Sequence, residues 1–193
     1  MSDALSIDPK SSALLVMDLQ NMMVGFVPDA NPLLAANAKL IDAARAHSLR
    51  VIYVVLGFRA GHPEIGATNP VFGQVKTGGL FVEGSNEAQI HSTVTPKGGD
   101  LVVTKHRVGA FAGTDLELIL RANKIDTLVL TGIATSGIVL STVRHAADHD
   151  YRVVVARDCC ADRDDEVHRV LMDKVFARQA TVTNSEAIIA AIG

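Results

Sequence analysis

Five short runs of the chain are apolar almost without interruption, where a half-wet strand would alternate. They are Ala13-Leu14-Leu15-Val16-Met17, Val51-Ile52-Tyr53-Val54-Val55-Leu56, Leu101-Val102-Val103-Thr104, Thr127-Leu128-Val129-Leu130 and Arg152-Val153-Val154-Val155-Ala156. A strand with one solvated face reads apolar and polar in turn. A strand covered on both faces does not, and such strands belong to parallel sheets with helices above and below. Between these runs lie stretches with helix-spaced apolar residues: Asn31 to Ser48, Asp115 to Ala122, Thr135 to Asp148, Asp165 to Ala177 and Ser185 to Ile192. Ala180-Thr181-Val182 reads as a sixth, shorter strand. Strand and helix alternate throughout, which predicts an α/β fold of three layers, α/β/α, around a mostly parallel six-stranded sheet. The length of 193 residues suits one domain over 1–193. At that size roughly 70% of the unfolded surface can be buried, so no disulfide or metal staple is needed.

The rhythm breaks between Gly57 and Gly99, a stretch rich in Gly, Pro, Thr and Asn. It reads as a long excursion with short helices, and such excursions carry lids, substrate contacts or oligomer contacts.

Charge narrows the partners. Lys and Arg number 18 against 21 Asp and Glu, a net charge of -3. There is no basic stripe for a phosphate backbone and, with no tryptophan, little surface for base stacking. Nucleic acid is therefore not an expected partner. No apolar run reaches the length of a membrane span, and Met1 to Lys10 lacks the basic and apolar regions of a signal peptide. A cytoplasmic setting is expected. Cys159 and Cys160 are neighbours, too close for a disulfide framework.

In open parallel sheets, ligands bind beyond the carboxyl ends of the strands. The residues that follow each run are therefore the candidates: Asp18 to Asn21, then Gly57-Phe58-Arg59 with His62, then Lys105-His106-Arg107, then Thr131 to Ile138, then Asp158-Cys159-Cys160. Asp18 and Lys105 each end an apolar strand, where an unpaired charge is unfavourable. Placed together, each favours the other's charged form. The turn from Gly132 to Ile138 leads into a helix, with Thr135 or Ser136 suited to cap it. Amides at such a turn can hold an anion or a developing oxyanion. The turn has neither the Gly-Lys-Ser/Thr of a phosphate loop nor a Gly-x-Gly-x-x-Gly. The histidines are scattered; His145 and His149 share a helix face but have no apparent third ligand, so no metal site is expected.

Taken together, three segments resemble the isochorismatase-like superfamily, the cysteine hydrolases. They are Leu14 to Asn21, Lys105-His106-Arg107 leading to Ala110 through Leu116, and Leu128 through Gly137. The resemblance implies a catalytic set of an aspartate after the first strand, a lysine after the third and a cysteine on the turn after the fourth. Asp18 and Lys105 match the first two, and the cysteine position falls on Ile138. The resemblance also implies a non-proline cis peptide at Ile133–Ala134 and oxyanion donors at the amides of Ala134 and Ile138. Isoleucine offers neither nucleophile nor proton, so the covalent route is closed there. True isochorismatases, with glycine at that position, cleave a vinyl ether without a protein nucleophile. By that analogy Asp18 is the acid, and Lys105 and Arg59 hold substrate carboxylates. Ile138 is bulkier than glycine, and Thr135-Ser136-Gly137 looks more like the cysteine-bearing members. The nicotinamidase branch carries an Asp-x-His pair after the second strand. Gly57 to His62 lacks it, so no zinc and no other cofactor is expected.

The expected site thus has Asp18 and Lys105 as catalytic groups, with Gln20, Phe26, Arg59, Ala134, Ile138 and Cys160 in contact with substrate. The expected activity is hydrolysis of a small anionic molecule without a thiol, with vinyl-ether cleavage first among the reactions. The alternative is a catalytically silent small-molecule binder. The resemblance also implies a homo-oligomer.

Overall fold

The computed structural model describes residues 5–193, so the very start of the Met1 to Lys10 segment lies outside the described residues. Six strands form one sheet in the order β3-β2-β1-β4-β5-β6. They are β1 (Ser12–Met17), β2 (Arg50–Leu56), β3 (Leu101–Lys105), β4 (Thr127–Ile133), β5 (Arg152–Ala161) and β6 (Thr181–Thr183). All five pairings are parallel, so the sheet is wholly rather than mostly parallel. The order reverses between β1 and β4, the place where a crevice opens in folds of this kind.

The helices are α1 (Asn21–Val24), α2 (Asn31–Ala46), α3 (Gly73–Gly78), α4 (Leu116–Ala122), α5 (Leu140–Asp148), α6 (Asp165–Val170) and α7 (Ser185–Ala191). They explain the unbroken apolar runs of β1, β2 and β4, whereas β3, at the edge of the sheet, is covered on one face only and leaves Val102 and Thr104 exposed, against the expectation from its apolar run. Ala13, Leu15 and Met17 of β1 face one layer, where they meet Leu116 and Leu120 of α4, Val143 and Ala146 of α5, and Met172 and Phe176 beyond α6. Leu14 and Val16 point the other way, to Leu40, Ile41 and Ala44 of α2 and Ile188 of α7. Each such side chain, once buried, contributes about 1.5–3 kcal/mol relative to exposure.

Three departures from the sequence expectation matter. β5 runs to Ala161, five residues past its apolar run, and its register against β4 shifts between Leu130 and Gly132. The expected helix from Thr135 opens as a wide, π-helical turn over Thr135–Val139 before α5 begins. The helix expected from Asp165 to Ala177 loosens after α6 into a second wide turn and a tighter one ending at Arg178.

The excursion from Gly57 to Gly99 packs as a cap over the carboxyl edge of the sheet. It has a small core of its own, in which Phe58, Ile65, Phe72 and Phe81 join Leu56 of β2. Phe58 and Phe72 meet edge to face with centroids 5.6 Å apart. Among the described residues, no helix is long and apolar enough to cross a membrane.

Candidate active site

Asp18 leaves the end of β1 with φ at 53°, and its amide donates to Val54 O at 2.8 Å. A non-glycine residue in this left-handed region is uncommon and occurs where the surroundings hold it. The twist turns the carboxylate across the end of β2. Lys105 ends β3 in register with Leu56. Its long side chain spans the end of β2 in the other direction, and Nζ lies 2.9 Å from Asp18 Oδ2. Nζ also donates to Arg107 O at 3.1 Å. Both side chains are buried. The second carboxylate oxygen, Oδ1, is buried with no hydrogen-bond partner among the described residues. Burial raises the Asp18 pKa above its ordinary value of 3.8, outweighing the attraction of Lys105, which acts the other way.

β4 brings the third part. Gly132 has φ at 140°, and a Cβ there would lie 2.1 Å from Met17 O. Only glycine lets β4 approach the end of β1 so closely. The next peptide, Ile133–Ala134, is cis. The wide turn that follows is held from outside. Ser136 N–H donates to Asp162 Oδ2 at 2.7 Å, and Thr135 Oγ1 pairs with His168 Nδ1 at 2.8 Å. The cap expected from Thr135 or Ser136 is thus supplied by Asp162, a residue of the connection from β5 to α6; the side chains of the turn form no cap bond of their own.

A cavity of about 450 Å³ lies between the strand ends and the cap. Asp18 and Lys105 face it from the sheet, Ala134 and Ile138 from the turn, and Phe72 and Phe81 from the cap. Phe26, just past α1, forms part of the wall. So does Arg163, whose guanidinium carbon sits 3.6 Å from the centre of the Phe26 ring.

An isochorismatase domain match covers residues 12–187. This chain belongs to the isochorismatase family. Its relatives include the isochorismatase family protein YwoC of Bacillus subtilis (strain 168), 36% identical with 92% of each chain covered. An isochorismatase family protein from Burkholderia thailandensis is 30% identical, with a TM-score of 0.84 over 98% of this chain and 99% of that one. N-carbamoylsarcosine amidase from Thermoplasma acidophilum is 30% identical, with a TM-score of 0.76 over 91% of this chain and 97% of that one.

On this isochorismatase-family fold, Asp18, Lys105, Phe26, Ala134 and Ile138 converge on one cavity, while three expected contacts lie outside its wall. Gln20 is fully buried and fully engaged. Its Nε2 donates to Leu56 O at 2.8 Å and Ala88 O at 2.6 Å, and its Oε1 accepts from Leu56 N at 2.8 Å. It fastens the cap to the sheet, with both amide N–H groups spent on backbone carbonyls. Arg59 is exposed on the cap and paired with Glu64 at 2.7 Å. Cys160 is buried beneath the rim, its thiol toward Leu130 O at 3.9 Å and its pKa pushed up to about 12 by burial. Cys159 is likewise buried, and its pKa is raised for the same reason. Neither thiol lines the cavity. His106 is tied to Gly57 O at 2.6 Å and leans on Phe58, so it supports the root of the cap. Among the described residues, no three His, Cys, Asp or Glu side chains are grouped to hold a metal ion.

Sequence reasoning missed Arg163. It ended the fifth strand at Ala156, which placed Cys159 and Cys160 on the rim. With β5 continuing to Ala161, the rim position passes to Asp162 and Arg163. The available signal was that Cys159-Cys160-Ala161 resumes the apolar run after Arg157-Asp158, and that Arg163 is then the lone cation in an acidic stretch.

Proposed function

We propose that this isochorismatase-family protein hydrolyses a small anionic substrate by proton transfer at Asp18, with no covalent bond to the protein. The observation that carries the reading is the buried Asp18–Lys105 pair at the edge of an apolar cavity that is also walled by Ile138, a residue with no nucleophile to offer.

The reaction that fits first is cleavage of an enol ether. Asp18, protonated, donates its proton to the terminal carbon of the double bond, leaving an oxocarbenium ion and a carboxylate at Asp18. Water adds to the cationic carbon and returns a proton to Asp18. The hemiketal then collapses to an alcohol and a ketone. One water is consumed, and the enzyme ends as it began. Lys105 holds the developing carboxylate of Asp18 in place and stabilises its charge. The apolar surroundings favour the protonated acid needed to start the cycle, since burial raises the Asp18 pKa.

The test is turnover of isochorismate and of simple enol-ether carboxylates by the wild type and by Asp18→Asn. Removal of a general acid lowers the rate about 10²–10⁴-fold. The wild-type rate should decline as pH rises through the folded value of Asp18, which lies above 3.8, because only the protonated form donates. Absence of turnover across enol-ether, ester and amide panels would replace this reading with that of a binder. The burial of Ile138 in the core favours that second reading.

A further inference from the structure

The chain carries five methionines and two cysteines. Met1 lies outside the described residues. Met17, Met172, Cys159 and Cys160 are buried. Peroxides oxidise a cysteine through its thiolate. Burial raises the pKa of both thiols, that of Cys160 to about 12, so neither supplies a thiolate near neutral pH. A thioether has no proton to lose and needs only to be reached. Met22 and Met23, side by side on α1, are half-buried, and both line the cavity. The same wall includes the exposed residues Val71 and Arg163, so the cavity opens to solvent.

α1 is also the joint between sheet and cap. Met22 packs on the apolar core of the cap, and Met23 packs on that core and on the core beneath α2. The backbone joins at the same place: Met22 N–H donates to Glu87 O at 3.2 Å and Asn21 N–H to Gln89 O at 2.9 Å. The side chains of the cap core, Leu56, Phe58, Ile65, Phe72 and Phe81, carry no hydrogen-bond donor.

From this we infer that Met22 and Met23 form a peroxide-sensitive modification site, and that sulfoxide there loosens the cap from the sheet. In each step the thioether sulfur attacks one oxygen of hydrogen peroxide. A sulfur–oxygen bond forms, the oxygen–oxygen bond breaks, sulfur loses two electrons, and the peroxide leaves as water. The product is a polar oxygen that needs a donor, set against side chains that have none. The sulfoxides relieve this by turning to solvent, which takes Met22 out of the cap core and Met23 out of the seam beside it. The sulfurs that respond to oxidant are therefore the two thioethers of the cavity wall, while both thiols stay inert. The inference goes beyond the hydrolytic reading and holds whether or not the cavity turns over a substrate.

The test treats the full chain with hydrogen peroxide at neutral pH and follows it by peptide mass spectrometry and by hydrogen exchange. Met22 and Met23 should gain oxygen about tenfold or more faster than Met17 and Met172, with Cys159 and Cys160 unmodified. Exchange across 86–91 and at Leu56 should then quicken about tenfold or more. Treatment with methionine sulfoxide reductases of both epimer specificities should restore the slow exchange. The double variant Met22→Leu with Met23→Leu keeps the apolar volume and should hold its slow exchange in peroxide. Because that variant still carries Met1, it also separates this site from the start of the chain. Should the double variant lose cap protection before peroxide is added, Met22→Leu and Met23→Leu singly carry the test, each with a smaller response than the wild type. Oxidation of Met17 and Met172 at the same rate, modification of the cysteines first, sulfoxide at Met22 and Met23 with unchanged exchange, or a full response in the leucine variants would each overturn the inference.

Discussion

Ile138 sits on the wide turn after β4, buried, with one side in the core and one side on the cavity. That placement makes it a wall, and it makes the position open to chemistry if the residue were changed. Ile138→Cys would put a thiol on the same cavity as Lys105 and Asp18, in contrast to Cys159 and Cys160, which lie behind the strand ends. A nearby ammonium favours a thiolate, and the thiolate is the reactive form. The variant should therefore be alkylated by iodoacetamide well before either native cysteine, as read by peptide mass spectrometry. Loss of apolar volume should lower stability by about 1–2 kcal/mol. Labelling no faster than in the wild type would mean that the turn does not present this side chain to reagents. Gly132 is the complementary case at this scale. Its identity follows from a single contact, the carbonyl of Met17, which leaves no room for a methyl group.

Among the elements, the cap is the one whose attachment can be tested. Gln20 bridges Leu56 at the end of β2 and Ala88 within the cap. Around it Asn21 N donates to Gln89 O at 2.9 Å and His91 N to Leu19 O at 2.8 Å. Gln20→Ala would strand the buried N–H and C=O of Leu56 and the part-buried C=O of Ala88, a loss of about 2–4 kcal/mol. Urea denaturation measures this directly, and hydrogen exchange should quicken around Leu56 and across 88–91. A drop under about 0.5 kcal/mol with a changed substrate KM would instead make Gln20 a substrate contact. The connection from β5 together with α6 does two jobs within a few residues. Asp162 and His168 hold the turn that carries Ile138, while Arg163 reaches the cavity. Wide helical turns of this kind recur at functional sites because they shift which backbone groups point where.

At the scale of the whole molecule, the buried pair ties stability to pH. Burial raises the Asp18 pKa above its ordinary 3.8, so over the interval between the two values the folded chain keeps a proton that the unfolded chain has lost. Proton release then favours unfolding as pH rises. The contribution of Asp18 is fully present below the unfolded value and is lost as pH passes through the folded one. Asp18→Asn cannot titrate there. Denaturation curves across pH should therefore show the wild type losing stability relative to the variant as pH increases; parallel curves would mean that the carboxylate is not desolvated as the fold implies.

The sequence by itself determined the parallel sheet, because strands covered on both faces must be apolar at every position, and Leu14 and Leu15 alone show both demands. It also pointed to Asp18 and Lys105 as partners, since a charge at the end of a buried strand requires one, and the two side chains do meet at 2.9 Å. What it left open depended on where elements stop and what lies across from them. Gln20 and Arg59 have the chemistry of substrate contacts, yet the first is consumed by the backbone of the cap and the second by Glu64. Arg163 reached the cavity only because β5 runs on to Ala161 after its register slips against β4. Local sequence sets propensity and pattern, whereas register and side-chain pairing are settled by contacts between residues far apart in the chain, and in this protein those contacts decided which polar groups remained free to meet a ligand.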